Sequence, residues 1–135
     1  MSQSIERIIV QFEGGEIDGA KFHHADHVHL AFAYLCHYPT LQALEKFAAA
    51  LRRFAAACGR PQLYNETITC AYFFLIRERM TRFASDSWED FARKNPDLLR
   101  WKGGVLGRYY SDATLKSDLA RTVFVLPDKS LDQSA

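Results

Sequence analysis

Apolar residues recur every three or four positions along most of the chain, and this spacing is typical of amphipathic helices. The first predicted helix carries four of them at positions i, i+3, i+4 and i+7: Ile5, Ile8, Ile9 and Phe12. A second helix is predicted from residue 23 or 24 to just before Pro39, and its segment 30–36 is apolar on nearly every side. A helix of that composition belongs at the centre of a fold.

Helix-capping residues, glycines and prolines divide the rest of the chain. Helices are predicted over 40–58, over 65–83, from residue 87 onward and over 112–121, with one extra turn ending near Leu99. The segment 122–127 is extended and apolar, and we expect it to pack along the helices because no second strand can pair with it. The pattern predicts an all-α fold, residues 1–135 forming a single compact domain of five to six helices with an extended C-terminal tail.

Composition narrows the classes of protein without naming a function. A chain of 135 residues suits one domain, and its 17 basic and 16 acidic residues lack the basic excess expected of a nucleic-acid partner. The three cysteines form no Cys-x-x-Cys pair, so we expect reduced, mostly buried thiols in a cytoplasmic protein. We find no signal peptide, and the apolar runs are too short for a membrane span.

Four of the five histidines fall within residues 23–29. His24 and His27 are three residues apart and His23 and His27 are four apart, so either pair can place two imidazoles on one ion. His29 is predicted to point elsewhere. The first turn of a helix also attracts anions and favours neutral imidazole, which suits a metal site or a site for an anionic substrate.

A catalytic zinc or iron usually takes three protein ligands and leaves one position open. A metal site built on two histidines therefore needs a third protein ligand. Glu13, at the end of the first helix, is one candidate, and Glu66, at the start of the fourth, is another, with Asn65 beside it. The H-E-x-x-H pattern is absent.

Several segments resemble a family of small bacterial proteins of uncharacterised function, whose patterns are F-E-x-G-x-[LI], [WF]-x-H-x-x-H-[LV] with A-x-x-Y-L, and Y-H-x-T-[IL]-T. The matching segments are Phe12-Glu13, Phe22-x-His24-x-x-His27, Tyr34-Leu35, Tyr64-Asn65-Glu66-Thr67-Ile68-Thr69, Tyr109-Tyr110-Ser111, Leu115, Ala120-Arg121 and Phe124 to Asp128. The resemblance spans about residues 5–128. Of the clustered histidines, the family patterns include only His24 and His27. They also indicate that residues 64–69 form the other part of the site. Asn65 stands where the family usually has histidine, so the resemblance implies that Glu13 or Glu66 holds the metal here, or that metal binding is weakened or lost.

Three other side chains are candidate catalytic residues, each with a structural alternative. Tyr64 is an acid or an aromatic wall of a pocket, unless it is a core tyrosine with a hydrogen-bonded hydroxyl. Thr69 bonds a substrate or orients an imidazole, unless it serves only the first turn of its helix. Arg121 either clamps a carboxylate or satisfies the carbonyls at a helix end.

The leading hypothesis is a small metal-dependent enzyme acting on an unidentified small molecule, with zinc or iron held by His24 and His27 and with Glu66, Tyr64, Thr69 and Arg121 assisting. The second is a metal-free protein that binds an anionic small molecule, or an acid–base enzyme, using the same histidines. The third is a structural or interaction domain. The oligomeric state stays open.

Overall fold

The computed structural model describes residues 2–129, with side chains from residue 5 onward. Within that range the chain forms seven α-helices and no strand, which confirms the predicted all-α class. They are α1 Ser2–Glu13, α2 His24–His37, α3 Thr40–Ala57, α4 Glu66–Arg82, α5 Trp88–Lys94, α6 Asp112–Leu115 and α7 Asp118–Thr122. Short 3₁₀ helices cover Gly19–Lys21, Pro61–Leu63, Pro96–Leu99 and Val105–Arg108. Residues 1 and 130–135 of the predicted domain lie outside the described part.

Helix α2 is the central element, as its composition predicts. It packs against α1, α3 and α4, and its middle is buried on all sides: Val28, Leu30, Ala31, Phe32, Ala33, Tyr34 and Leu35. Apolar residues of α1, α3 and α4 join those of α2 in one buried cluster, so the core forms around this helix. Among the helices of residues 2–129, none is long and apolar enough to cross a membrane.

Two predictions about the fold need correction. The single last helix predicted over 112–121 is two helices, because Ser117 interrupts it and caps α7: its hydroxyl oxygen accepts the Ala120 N–H at 3.1 Å. The described residues therefore contain more α-helices than the five or six predicted. The cysteines are also not mostly buried, since Cys36 and Cys58 are exposed and only Cys70 is buried.

The non-helical segment after α7 is fastened to the helices mainly by hydrogen bonds. The buried Thr67 hydroxyl on α4 donates to the Val123 carbonyl at 2.8 Å and accepts the Val125 N–H at 3.0 Å. The Tyr110 hydroxyl donates to the Val125 carbonyl at 2.6 Å. The Asp128 carboxylate accepts hydrogen bonds from residues 111 and 114. The prediction that this segment packs along the helices is confirmed, but its apolar side chains stay largely exposed.

We expect the substitution Thr67→Val to release this segment. Valine fills the same space but leaves the Val123 carbonyl and the Val125 N–H without their partner, which costs about 1–3 kcal/mol of unfolding free energy. Urea denaturation measures the loss, and hydrogen exchange should show a faster Val125 amide. The matched control is Thr81→Val, at an exposed position on the same helix, which should change stability little. Equal effects of the two substitutions would contradict this account.

Candidate functional site

A cavity of about 770 Å³ lies between α2, α3 and α4, and parts of the segments before α2 and before α4, together with Trp101, also line it. This volume is within the roughly 300–1,000 Å³ typical of pockets that bind small organic molecules. Most of the wall is apolar. It is lined by aromatic and aliphatic side chains, among them Phe22, Phe47, Leu51, Phe54, Ile68, Phe73, Ile76 and Trp101.

The cavity brings together five of the predicted site residues. His24 and His27 from α2, Tyr64 and Asn65 from the loop before α4, and Thr69 from α4 all line it. The two histidines lie one helical turn apart, which is why the i, i+3 spacing places both at the same cavity. The other three predicted residues, Glu13, Glu66 and Arg121, are not part of its wall.

His24 is held in one orientation by a backbone carbonyl. Its Nε2–H donates to the Leu98 oxygen at 2.9 Å. A carbonyl only accepts hydrogen bonds, so this contact assigns the proton to Nε2 and leaves Nδ1 as an acceptor. The Tyr72 and Trp101 rings pack on the imidazole at 4.7 and 5.5 Å between centroids. Burial lowers the pKa of His24, and the bond to Leu98 only partly opposes this effect.

The carbonyl that orients His24 belongs to a turn fixed by a partly buried ion pair. Arg79 of α4 donates two hydrogen bonds to the Asp97 carboxylate, at 2.7 and 3.0 Å, and a third to the Asn95 side chain at 2.9 Å. Asn95 is itself buried and donates to the Phe91 carbonyl at 3.0 Å. No local sequence pattern indicates this pairing, because the partners of Arg79 lie 16 and 18 residues away along the chain.

His27 presents its ring to the cavity without a protein partner. None of the hydrogen bonds found over residues 5–129 involves its imidazole, which packs on the Phe22 ring at 4.4 Å between centroids. Burial is the main reason that the pKa of His27 falls to about 4, and the neighbouring His24 lowers it further. The ring is therefore neutral at pH 7, with one nitrogen able to donate and the other able to accept.

Tyr64 belongs to a polar group at the α3 side of the cavity. Its hydroxyl donates to Glu66 at 2.6 Å, and the Arg52 guanidinium lies 5.0 Å from the centre of its ring and 4.0 Å from the same carboxylate. Burial, followed by the bond to Glu66, raises the pKa of Tyr64, while contact with Thr69 lowers it. Tyr64 thus keeps its proton at neutral pH and forms part of the aromatic wall.

Asn65 has a structural role that accounts for its amide. Its Oδ1 accepts the Ile68 N–H at 2.9 Å and caps α4, and its Nδ2 donates to the Leu115 carbonyl at 2.8 Å. Asparagine is a strongly favoured residue at helix N-caps. Both polar atoms of the side chain therefore serve the fold at the position where the resembling family has histidine.

The remaining predicted ligands and the predicted clamp are engaged elsewhere. Glu13 accepts a hydrogen bond from the buried Tyr34 hydroxyl at 2.5 Å and joins α1 to α2. Arg121 pairs with Asp118 at 2.7 Å on the surface of α7. Over the part of the chain that is described, no three His, Cys, Asp or Glu side chains come together as a metal site. The residues present therefore do not fit the three-ligand zinc or iron centre predicted from the sequence.

Several residues of the site escaped the sequence interpretation. Tyr72 and Trp101 flank His24, Phe22 contacts His27, and Arg52 joins the Tyr64 group. The sequence does offer a signal for two of them: Phe22 lies next to the histidine run, and Tyr72 is spaced four residues from both Ile68 and Ile76, as residues on one helix face are. Trp101 and Arg52 had none, because only the folded chain brings them to the cavity.

Comparison with protein-family models finds no match for this chain. Comparisons with curated proteins and with solved structures find none either. The resemblance to small bacterial proteins described above stays a prediction.

The buried state of His27 predicts a pH dependence of stability. Its imidazole takes up a proton near pH 6.5 in the unfolded chain but only near pH 4 in the folded one. Between these values the unfolded state binds more protons, so stability falls as the pH falls, by at most about 1.4 kcal/mol per pH unit for this proton. Urea denaturation across this window should give a shallower slope for His27→Gln than for the wild type.

A control separates this titration from simple destabilisation. Ile76→Val removes one buried methyl group from another part of the cavity wall, at a cost of about 0.5–1.5 kcal/mol, and no titrating group. It should lower stability equally at every pH and keep the wild-type slope. Parallel curves for His27→Gln and the wild type would contradict the assignment.

Proposed function

We propose that this protein binds a small organic molecule in the cavity, with His24 and His27 hydrogen-bonding its polar group and no metal ion between them. The observation that carries the proposal is the placement of two neutral imidazoles in a mostly apolar cavity of about 770 Å³. A large apolar pocket with a few convergent polar groups is the usual form of a small-molecule site.

The two imidazoles offer complementary hydrogen-bonding groups. His24 has its Nε2–H fixed on Leu98 and offers Nδ1 as an acceptor, whereas His27 offers both a donor and an acceptor. A ligand group that both donates and accepts can therefore bond to the pair. The same pair is suited to proton transfer, since a neutral imidazole in reach of a bound molecule is a common general base. The proposal therefore includes an enzyme that uses these histidines as an acid or base toward the bound molecule.

The metal-dependent enzyme remains a second candidate on one observation. Histidines that ligate metals usually donate their other ring N–H to a carbonyl or carboxylate, as His24 does to Leu98. The opposing observation is the missing third ligand: Asn65 caps α4, and Glu13 and Glu66 each accept a hydrogen bond from a tyrosine. Two imidazoles alone are a weak site, so we favour the metal-free form.

We also propose that the protein is located in the cytoplasm. Cys36 and Cys58 are free and exposed, and Cys70 is free and buried. Exposed free thiols are common where glutathione and thioredoxin keep cysteines reduced.

Filling the cavity should abolish binding without unfolding the protein. The neutral dye N-phenyl-1-naphthylamine, whose fluorescence rises in apolar surroundings, serves as the probe. Ala55 lines the cavity and is half-buried, so Ala55→Trp places an indole in the binding space. We expect saturable fluorescence for the wild type and none for this variant. Ala56→Trp adds the same ring at the exposed neighbouring position outside the wall and should bind like the wild type. Equal binding by both variants would overturn the proposal.

Metal analysis decides between the two candidates. Protein purified without a histidine tag should contain far less than one equivalent of zinc or iron, and calorimetric titration with Zn²⁺ should show no stoichiometric uptake, because two imidazoles leave the coordination sphere unfilled. Stoichiometric metal that disappears in both His24→Gln and His27→Gln, but not in His29→Gln, would instead establish the metal-dependent form.

A further inference from the structure

We infer that the ligand of the cavity is an uncharged aromatic molecule bearing a hydroxyl group. This inference rests on the proposed function and names its ligand class. It differs from the anionic ligand that the helix N-terminus suggests from sequence, and it follows from the charges, the rings and the unpaired polar groups of the cavity wall.

The wall provides no buried cation for an anionic ligand. Apart from the histidines, its charge-bearing side chains are Asp18 and Arg60, and both are exposed. A carboxylate or phosphate placed in the cavity would lose its hydration without gaining an ionic partner, and burying an unpaired charge is strongly unfavourable. The same reasoning disfavours an organic cation, since the wall has no buried carboxylate.

Aromatic rings surround the space that the ligand would fill. Seven of them line the cavity: Phe22, Phe47, Phe54, Tyr64, Tyr72, Phe73 and Trp101. Phe22 and Phe54 contact each other with centroids 5.1 Å apart, and Phe47 and Phe73 do so at 5.4 Å. Rings in such arrangements favour offset or edge-to-face contact with a further aromatic ring. Flat aromatic ligands therefore match this wall better than flexible polar ones.

Three polar groups on residues of the cavity wall are unused by the described part of the protein. The Tyr72 hydroxyl takes part in no hydrogen bond within residues 5–129, although its ring packs on His24, and Nδ1 of His24 and the His27 ring are equally unpaired. Burial raises the pKa of Tyr72 to about 12, so its hydroxyl remains a donor. A ligand hydroxyl can donate to an imidazole nitrogen while it accepts from a donor of the wall, either the His27 N–H or the Tyr72 hydroxyl, and a carbonyl lacks the proton for the first of these bonds.

Three related probes test the ligand class: naphthalene, 2-naphthol and 2-naphthoate, measured by quenching of tryptophan fluorescence and by calorimetry at pH 7. We expect 2-naphthol to bind most tightly. Naphthalene should bind about 3- to 10-fold more weakly, because it lacks the hydroxyl and its hydrogen bonds. The carboxylate of 2-naphthoate should weaken binding by about tenfold or more.

Two variants test whether the preference for 2-naphthol over naphthalene depends on the polar groups of the wall. His27→Phe and Tyr72→Phe keep an aromatic ring in the wall and should still bind naphthalene, but each should reduce the preference for 2-naphthol. Ala56→Trp, outside the cavity wall, should preserve the wild-type order of affinities.

Each contrary result has a distinct meaning. Tightest binding of 2-naphthoate, with proton uptake visible as a buffer-dependent heat, would overturn the uncharged ligand class while leaving the proposed small-molecule site in place. Equal affinities for naphthalene and 2-naphthol would overturn the role of the hydroxyl. Failure of all three probes to bind, together with failure of N-phenyl-1-naphthylamine, would overturn the proposed function itself.

Discussion

The burial of α2 among α1, α3 and α4 is the constraint on which the rest of the structure depends. Its middle is so apolar that it must be covered on all sides, and the three surrounding helices do so. The first turn of the same helix carries His24 and His27, and it reaches the cavity because the rest of the helix is fixed in the core. Core packing and site geometry therefore have a common origin in one segment.

Local sequence patterns predict most of the helices and the pairing of the two site histidines. The helices follow from apolar periodicity and from caps such as Asn65 and Ser87, whose side chains accept N–H groups three residues later. The shared face of His24 and His27 follows from helical spacing alone. The hydrogen-bond partners of Glu13 and Arg79 could not be predicted in this way because they are set by tertiary packing: Tyr34 and Asp97 lie 21 and 18 residues away. No periodicity in the sequence carries that information.

Burial keeps the imidazoles of the site neutral, and no buried charged side chain among the described residues faces the cavity. An imidazole in water is easily protonated near neutral pH, but burial beside Phe22 and His24 keeps His27 neutral. The Arg79–Asp97 pair supports the same end of the cavity indirectly, since it fixes the turn whose Leu98 carbonyl orients His24. The charged groups of this region therefore pair with each other in the supporting turn, and the groups that face the cavity are neutral hydrogen-bonding groups.

The bonds between Thr67 and the segment after α7 have a consequence for the order in which the site forms. Thr67 lies in the first turn of α4, next to cavity residues Ile68 and Thr69, and its partners are 56 and 58 residues further along the chain. During synthesis, α2, α3 and α4 leave the ribosome well before Val125 does. The cavity wall formed by α4 therefore gains this support only once residues 123–125 have emerged, after the histidines that face it.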